Sequence, residues 1–460
     1  MNTETPTLVI AGGSGFVGKN LIHSLLEKTD FKIVALSRYE RESHHPRLEW
    51  RKCDLFSLKD LSAALVGCDQ AVYLVHSMLP SAALSQGTFY DFDLLIADNF
   101  ARVAEAQGIK HIVYLGGMIP KKEKLSWHLK SRLEVERTLD KGSVKVTALR
   151  AGLIMGASGS SFTILQRLIE RLPILVCPSW TETKSQPIDL DDVIRVISRV
   201  LLTPELQGKI FDISGSETIS YKELIKKASK LIKMQRTVIV WSIIPIGLSR
   251  FWVSLITGVP RDLVYPLVLS LKHEMIASPE HDYPFKKEDI LVSVEESLKK
   301  AMEFQVSPIL QGYTPVQKDV RSIQRLPLPK GKNAMWVATE YFHWLPKMFS
   351  WFLRVDLEGN FCRFYFLSPK IVLLVLELSP ERSTPDRQLL YIRGGLLAAG
   401  PQGRGRLEFR EVLNGTSIMA AIHEFRPALP WYVYLWTQAL VHLWVMRRFS
   451  QFLKKTSQSS

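Results

Sequence analysis

Residues 7–18, TLVIAGGSGFVG, run from an apolar β-branched stretch straight into a glycine cluster, and KNLIHSLLEK follows without a gap. The order of elements is a buried strand, a turn of residues lacking Cβ, and a helix start. It sets backbone N–H groups and the positive end of a helix dipole where a pyrophosphate can sit. Gly12 permits the tight turn, Gly15 lets phosphates approach the backbone, and Gly18 lets the helix close on the strand. Two registers fit, G-x-G-x-x-G from Gly13 and G-x-x-G-x-x-G from Gly12. The strand before and the helix after supply the context that a dinucleotide motif requires. The expected cradle is Gly12, Gly13, Ser14, Gly15, Phe16, Val17 and Gly18.

A chain of 460 residues exceeds one compact core and suits two or three domains. The four cysteines, Cys53, Cys68, Cys177 and Cys362, lie far apart with no C-x-x-C, which points to a reducing, cytoplasmic setting without disulfides or structural zinc. The first residues, MNTETPTLVI, have no basic region ahead of an apolar stretch, so no signal peptide is expected. A net charge of +14 favours anionic partners, and the absence of a recognisable nucleic-acid module makes nucleic acid the poorest fit. Residues 238–256 approach the length of a membrane span but include Arg250, Pro245 and Gly247. A central Arg costs about 2.5–3.5 kcal/mol on insertion, so a buried or surface-lying segment is expected.

Strand-like and helix-like segments alternate over the first 155 residues. Strands are expected at 7–12, 32–38, 48–53, 70–76, 111–117 and 145–150, with helices between most of them, notably 16–28 and 91–107. Apolar runs bounded by helices suit a doubly wound α/β fold built on a parallel sheet, with ligands at the carboxyl ends of the strands. A domain over 1–320 is therefore expected. Its part from about 157 to 320 supplies a small cap, with the apolar, proline-broken 237–275 over a substrate cleft. Residues 321–333, RSIQRLPLPKGKN, read as a linker. Beyond it, strands at 361–367, 371–378, 387–399, 406–413 and 416–427 form a meander, turning at Ser368-Pro369-Lys370 and Asn414-Gly415. A long helix follows at 431–453, which makes 334–460 an α+β module.

The second strand ends at Ser37-Arg38, where an acidic residue would accept from a ribose 2′-OH. An arginine suits a 2′-phosphate instead, which predicts NADP(H) over NAD(H), with Arg41 an equal candidate. Asp54, followed by Leu55, is placed for the adenine amino group, and Leu74, Val75 and His76 would line the cofactor.

These residues, with several further stretches, resemble the atypical short-chain dehydrogenase/reductase superfamily and within it the NmrA-like and complex-I-subunit-like group. The matching stretches are AGGSGFVGKNL at 11–21, Tyr114-Leu115-Gly116-Gly117, Ser126 to Arg132, Leu149-Arg150-Ala151-Gly152, and Gln186-Pro187-Ile188 with Asp191-Asp192-Val193. The strongest likeness is to bacterial two-domain members whose C-terminal module is similar to START-type (SRPBCC-like) lipid-binding domains. Residues 423–449 are similar to the end of that module. The resemblance implies a Ser at the end of the fifth strand and a Tyr-x-x-x-Lys pair on the next helix. This chain departs from that set: the strand ends in Gly116-Gly117, and the pair is replaced by His128 and Arg132. Their i, i+4 spacing keeps both on one helix face. An imidazole titrating near about 6.5 can transfer a proton near neutrality, whereas a guanidinium can only anchor.

Two functions follow. One is an NADP(H)-dependent oxidoreductase acting on a hydrophobic carbonyl or quinone-like substrate, with His128 as general acid and Arg132 as cofactor anchor. The other is a dinucleotide sensor or assembly factor that binds cofactor without turnover and answers to a protein or lipid partner. His44-His45, His423-Glu424 and the cluster Asp189, Asp191 and Asp192 read as solvated, structural and helix-capping groups, so no metal is expected. The aromatic helix at 431–453 reads as core, as the wall of a lipid-holding cavity, or as a face lying on a membrane beside Arg447, Arg448, Lys454 and Lys455.

Overall fold

A computed structural model describes residues 5–77, 82–121, 124–234, 236–241, 246–303, 319–400 and 404–459. The chain divides into two compact units, Met1–Met78 with Ile96–Gln311, and Leu79–Leu95 with Gly312–Ser460.

The first unit is a doubly wound α/β fold. Its sheet takes the order Ile210–Ile213, Lys145–Ala151, His111–Gly117, β4 (Gln70–Tyr73), β1 (Thr7–Ala11), β2 (Lys32–Ser37) and β3 (Leu48–Lys52), with every pairing parallel. Leu8, Val9, Ile10 and Ala11 are fully buried, as both faces of a central parallel strand must be. Each large aliphatic so buried contributes about 1.5–3 kcal/mol. Helix α1 (Phe16–Lys28) lays Leu21 and Leu25 into the same core. The chain crosses from β3 to β4 on the far side of β1, so the strand order reverses between β1 and β4. That switch opens a crevice at the carboxyl ends of the strands.

The cap follows from the 157–320 part. The helix Ser160–Arg171 leads to the strand Ile174–Cys177, which pairs in parallel with Thr237–Val240. The helices Ile246–Thr257 and Arg261–Ser270 pack alongside. Arg171 Nη1 donates to the Ile256 carbonyl at 2.5 Å and Arg167 Nη1 to that of Thr257 at 2.8 Å. These two guanidinium groups satisfy carbonyls that a helix C-terminus leaves without a backbone donor. The near-span at 238–256 thus divides into a strand and a twelve-residue helix, with 242–245 outside the described residues. Among the described residues no helix is long and apolar enough to cross a membrane.

The second unit is an eight-stranded sheet in the order Leu353–Glu358, Phe361–Phe366, Ser368–Leu378, Arg387–Gly394, Arg406–Val412, Ser417–Phe425, Val320–Pro327 and Leu84–Gln86. All pairings are antiparallel except the last. The helices Ala334–Met348 and Gln438–Ser459 cover one face. Tyr341 joins the layers, its ring 5.5 Å from Phe409 on the sheet and 5.1 Å from Phe449 on the last helix. Strand alternation sends Glu408 and Arg410 away from Leu407 and Phe409; the buried Glu408 carboxylate is bracketed by the Arg387 and Arg410 guanidinium groups.

Three expectations are corrected here. Residues 321–333 are not a linker: 321–327 belong to a strand paired along its length with Ser417–Phe425, and its prolines fall at or beyond the strand's end. The turn expected at Ser368-Pro369-Lys370 falls one residue earlier, at Leu367 with φ +55°. The C-terminal helix is broken, Trp431–Trp436 and then Gln438–Ser459, because Thr437 leaves helical geometry at φ −125°, ψ −88°. At Asn414-Gly415 the expected turn is present, with φ values of +55° and +73° that suit a tight hairpin.

Candidate functional site

The loop after β1 is shaped by glycine. Gly12 has φ +92°, and its carbonyl accepts from the Gly15 N–H at 3.0 Å. A Cβ at Gly18 would lie 2.3 Å from that same carbonyl oxygen and 2.7 Å from the Gly13 Cα. The helix can meet the strand this closely only with glycine at 18, and the G-x-x-G-x-x-G register carries the geometry. Gly13 is less confined, an added Cβ falling 3.1 Å from Ala35 Cβ. Gly15 is the N-cap of α1 and brings no capping side chain, so the first-turn N–H groups face the loop, with Ser14, Phe16 and Val17 around them.

At the end of β2 the buried Ser37 hydroxyl accepts from the Tyr39 N–H and from Arg41 Nε, both at 3.2 Å. The Arg41 guanidinium also rests 5.2 Å over the Trp50 ring, whereas Arg38 lies exposed, 6.0 Å over Tyr39. Arg41 is thus held both by the Ser37 hydroxyl and by the Trp50 ring. Asp54 spends Oδ1 on the Phe56 N–H at 3.1 Å, and the Leu55 carbonyl accepts from Asn99 Nδ2 at 2.9 Å, so both residues build the turn after β3.

The other end of the crevice collects Leu74, Val75, His76, Gly116, Gly117, His128 and Arg132. The Leu74 N–H donates to the Ala11 carbonyl at 2.9 Å, and an added Cβ at Gly12 would meet Leu74 at 3.2 Å, which brings the β4 end against the glycine loop. Ser126 caps the helix Trp127–Leu139, its hydroxyl accepting from the Leu129 N–H. His128 and Arg132 thereby project from the first two turns of that helix. Arg132 is buried, with Nη1 3.4 Å from the Val75 carbonyl, and its own carbonyl accepts from Tyr114 OH at 3.1 Å. His128 is half-buried with its ring 5.0 Å from that of His76. The pairing of His76 with His128 and the brace from Tyr114 are not encoded in any local spacing. His76 follows the end of β4, Tyr114 lies mid-strand in His111–Gly117, and His128 lies on the helix Trp127–Leu139.

The space above Gly116 is taken: a Cβ there would lie 2.7 Å from Tyr114 Cε1. The place where relatives of the resembled superfamily would carry a serine thus holds glycine and a tyrosine ring. At Gly117 an added Cβ would touch the Arg132 side chain at 3.3 Å.

Beyond His128 opens a cavity of about 690 Å³ within the first unit. Gly117, His128 and Leu129 form one end, and Trp241, Trp252 and Ile256 of the cap line another part. Its remaining wall is overwhelmingly aliphatic, with Tyr221, Thr181 and Ser270 among the few polar contributors. Burial pushes the Tyr221 phenol up to about 12, so that group stays neutral. Among the described residues there is no cluster of three or more potential metal ligands. Asp189 caps the helix Leu190–Leu202, Asp191 pairs with Lys300 at 3.0 Å, and Asp192 binds Arg195.

A family model described as NAD(P)H-binding matches residues 12–167. The auxiliary protein GraX of Staphylococcus aureus is 32% identical over 114 residues, 24% of this chain and 36% of that protein. The match thus spans about a third of the relative's length. Among solved structures, a nucleoside-diphosphate-sugar epimerase from Staphylococcus aureus aligns with TM-score 0.49 and 14% identity, covering 64% of this chain and all of that one. An NADPH-dependent quinone oxidoreductase from Escherichia coli, solved with NADPH, aligns with TM-score 0.48 and 16% identity, covering 64% and 98%. A triphenylmethane reductase from Citrobacter aligns with TM-score 0.48 and 17% identity, covering 65% and 100%. The stretch that matches the NAD(P)H-binding model, residues 12–167, takes in the glycine loop and the strand-end crevice.

Proposed function

We propose that the chain is an NADP(H)-dependent oxidoreductase of the atypical short-chain type, acting on a hydrophobic carbonyl or quinone-like substrate. The observation that carries this reading is that one imidazole, His128, belongs both to the crevice at the strand ends and to the wall of a large apolar cavity. The glycine loop fits a dinucleotide, since it offers backbone N–H groups and an approach that any Cβ at Gly18 would close. Ser37 and Arg41 suit a 2′-phosphate, and Val75, His76 and Gly117 surround the place for a nicotinamide. A bound NADPH supplies hydride. Arg132, tied to Val75, holds ribose hydroxyls and cannot serve as a base. His128 gives a proton to the substrate oxygen, and the aliphatic wall excludes water from it.

The second unit is read as START-like, an antiparallel sheet packed on a long C-terminal helix. Tyr341, Phe409 and Phe449 fill the space between its layers, so the apolar substrate is assigned to the first unit. Its Trp436 and Trp444 are exposed and lie beyond Glu424, the last acidic residue of the sequence, and Trp351 is exposed ahead of the strand Leu353–Glu358.

The second functional reading, a non-turnover dinucleotide sensor or assembly factor, draws on two facts. Gly116 and Gly117 bring no hydroxyl to the reacting centre, and the matched relative is itself called an auxiliary protein. Calorimetric titration with NADPH and NADH, followed by NADPH consumption across a carbonyl and quinone panel, separates them. Binding with turnover supports the enzyme, and binding without turnover on any member of the panel supports the sensor. No binding to folded protein overturns both.

A further inference from the structure

We infer that the cap of the first unit docks on an anionic bilayer and that the apolar cavity opens there, taking its substrate from the lipid phase. The inference rests on the substrate reading above and adds where that substrate comes from.

The first observation is that the cavity wall and the protein surface are partly the same residues. Ile174, Val176, Trp241 and Trp252 all line the cavity, and they are 52%, 44%, 55% and 50% exposed. A sealed substrate pocket would keep such side chains inside. Their exposure follows from local structure. The parallel pairing of Ile174–Cys177 with Thr237–Val240 turns Leu175 and Cys177 inward, which leaves Ile174 and Val176 with Ile239 on the outer face. The helix Ile246–Thr257 continues the apolar surface with Phe251, Trp252 and Leu255, the last 60% exposed. Contiguous exposed apolar surface around a cavity mouth is what a soluble protein avoids unless something covers it. Tryptophans are favoured at the interface between lipid and water.

The second observation identifies the cover. Between Glu223 and Asp262 the sequence has no acidic residue, while it includes Lys233, Arg236 and Arg261. Arg236 donates to the carbonyls of Ile169 and Glu170, Arg171 donates to that of Ile256, and Arg261 lies 5.2 Å over the Phe251 ring. None of these contacts is with a carboxylate. Glu170, beside Arg171, accepts from Gln166, and Asp262 follows Arg261; both acids are exposed. Aromatic and aliphatic side chains framed by an excess of cations match the headgroup boundary of an anionic leaflet, where each Lys or Arg contributes about 1 kcal/mol. A second copy of this chain, equally cationic there, would be repelled.

The test is co-sedimentation of the full chain with vesicles of phosphatidylcholine, alone or with about one-third phosphatidylglycerol. NADPH binding is measured on the same samples. Binding is expected to the anionic vesicles only, and to decline with added salt. Lys233→Ala with Arg261→Ala should weaken it on the order of tenfold or more while NADPH affinity stays unchanged. Trp241→Ser with Trp252→Ser should do the same, with circular dichroism and NADPH binding reporting that the fold is intact. Wild-type protein left in the supernatant with anionic vesicles overturns the inference. So does equal binding by both cap variants while Trp351→Ser with Trp444→Ser loses it, since the second unit would then be the contact. A dimer in light scattering that the cap substitutions break would assign the surface to a second copy instead. Loss of NADPH binding in the wild type would overturn the proposed function and leave the vesicle result to stand alone.

Discussion

The imidazole rings of His76 and His128 stand 5.0 Å apart, tilted by 50°. One ring comes from the segment after β4 and the other from the first turn of the Trp127–Leu139 helix, so the pair joins the cofactor crevice to the apolar cavity. If His128 is the proton donor, His128→Gln should lower kcat by roughly 10²–10⁴ while leaving the NADPH Kd within about twofold. Stopped-flow turnover and calorimetry on one preparation check this. Equal losses in affinity and turnover would make His128 a binding residue, and unchanged turnover would remove it from the chemistry.

Arg41, held by Ser37 and laid over Trp50, predicts the coenzyme preference. A hydrogen bond to a charged group contributes about 1.5–3 kcal/mol, so Arg41→Ala should weaken NADPH binding about tenfold or more and leave NADH binding nearly unchanged. Ser37→Ala, which removes the acceptor that orients Arg41, should give a smaller loss in the same direction. A selective loss with Arg38→Ala in place of Arg41→Ala would identify Arg38 as the reader of the 2′-phosphate.

The first unit was largely legible in the sequence, because parallel strands buried on both faces write themselves as unbroken apolar runs and helix α1 begins at a glycine signature. The expected 16–28 helix coincides with α1, and the expected strand at 111–117 with His111–Gly117. The second unit was harder. Residues 321–327, RSIQRLP, are mostly polar and show no strand alternation, and prolines and a glycine close by disguised the strand as a linker. The helix Ala334–Met348 was missed because its apolar residues include Pro346 near its end, and a late proline suppresses a helical reading. In the site, His128 and Arg132 were picked out by resemblance to a Tyr-x-x-x-Lys pair, and both lie on the helix Trp127–Leu139. The approach of His76 and the packing of Tyr114 over Gly116 depend on which strands lie side by side, a long-range property that no window of sequence contains.

Arg150 and Glu136 form a two-point ion pair inside the first unit, with Nε–Oε2 at 2.9 Å and Nη2–Oε1 at 2.6 Å and both side chains buried. Arg150 lies on the strand Lys145–Ala151 and Glu136 on the helix Trp127–Leu139, so the pair fixes the helix that presents His128 and Arg132. Removing Glu136 leaves the buried Arg150 guanidinium to the Asp212 carboxylate of the neighbouring strand, and Glu136→Ala should destabilise the unit by up to about 3–5 kcal/mol. The double change Glu136→Leu with Arg150→Met should cost much less. Denaturant unfolding of the wild type, Glu136→Leu, Arg150→Met and the double change checks the cycle, and a double cost equal to the sum of the two single costs would show that the charges are screened from each other.

Acid sensitivity should begin above the carboxylate range, because of histidines that burial keeps neutral. Burial lowers His111 from 6.5 to about 4 and His442 likewise to about 4, and it holds His423 well below its ordinary value. In the unfolded chain these imidazoles take up protons from about pH 6.5 downward. The folded chain does not follow until pH nears 4, so across that window the unfolded state binds more protons and stability falls as the pH drops. The stabilisation is fully present above the unfolded value and is lost as pH falls toward the folded one. For a depression from 6.5 to about 4 its full size is about 3 kcal/mol per histidine. The Tm should therefore decline steadily between pH 6.5 and 4, ahead of carboxylate protonation. His442→Gln, which places a group that does not titrate in the last helix, should flatten that decline even if it lowers the Tm at pH 7.5. A Tm that is level down to pH 4.5 in the wild type would mean that these imidazoles stay accessible to protons in the folded state.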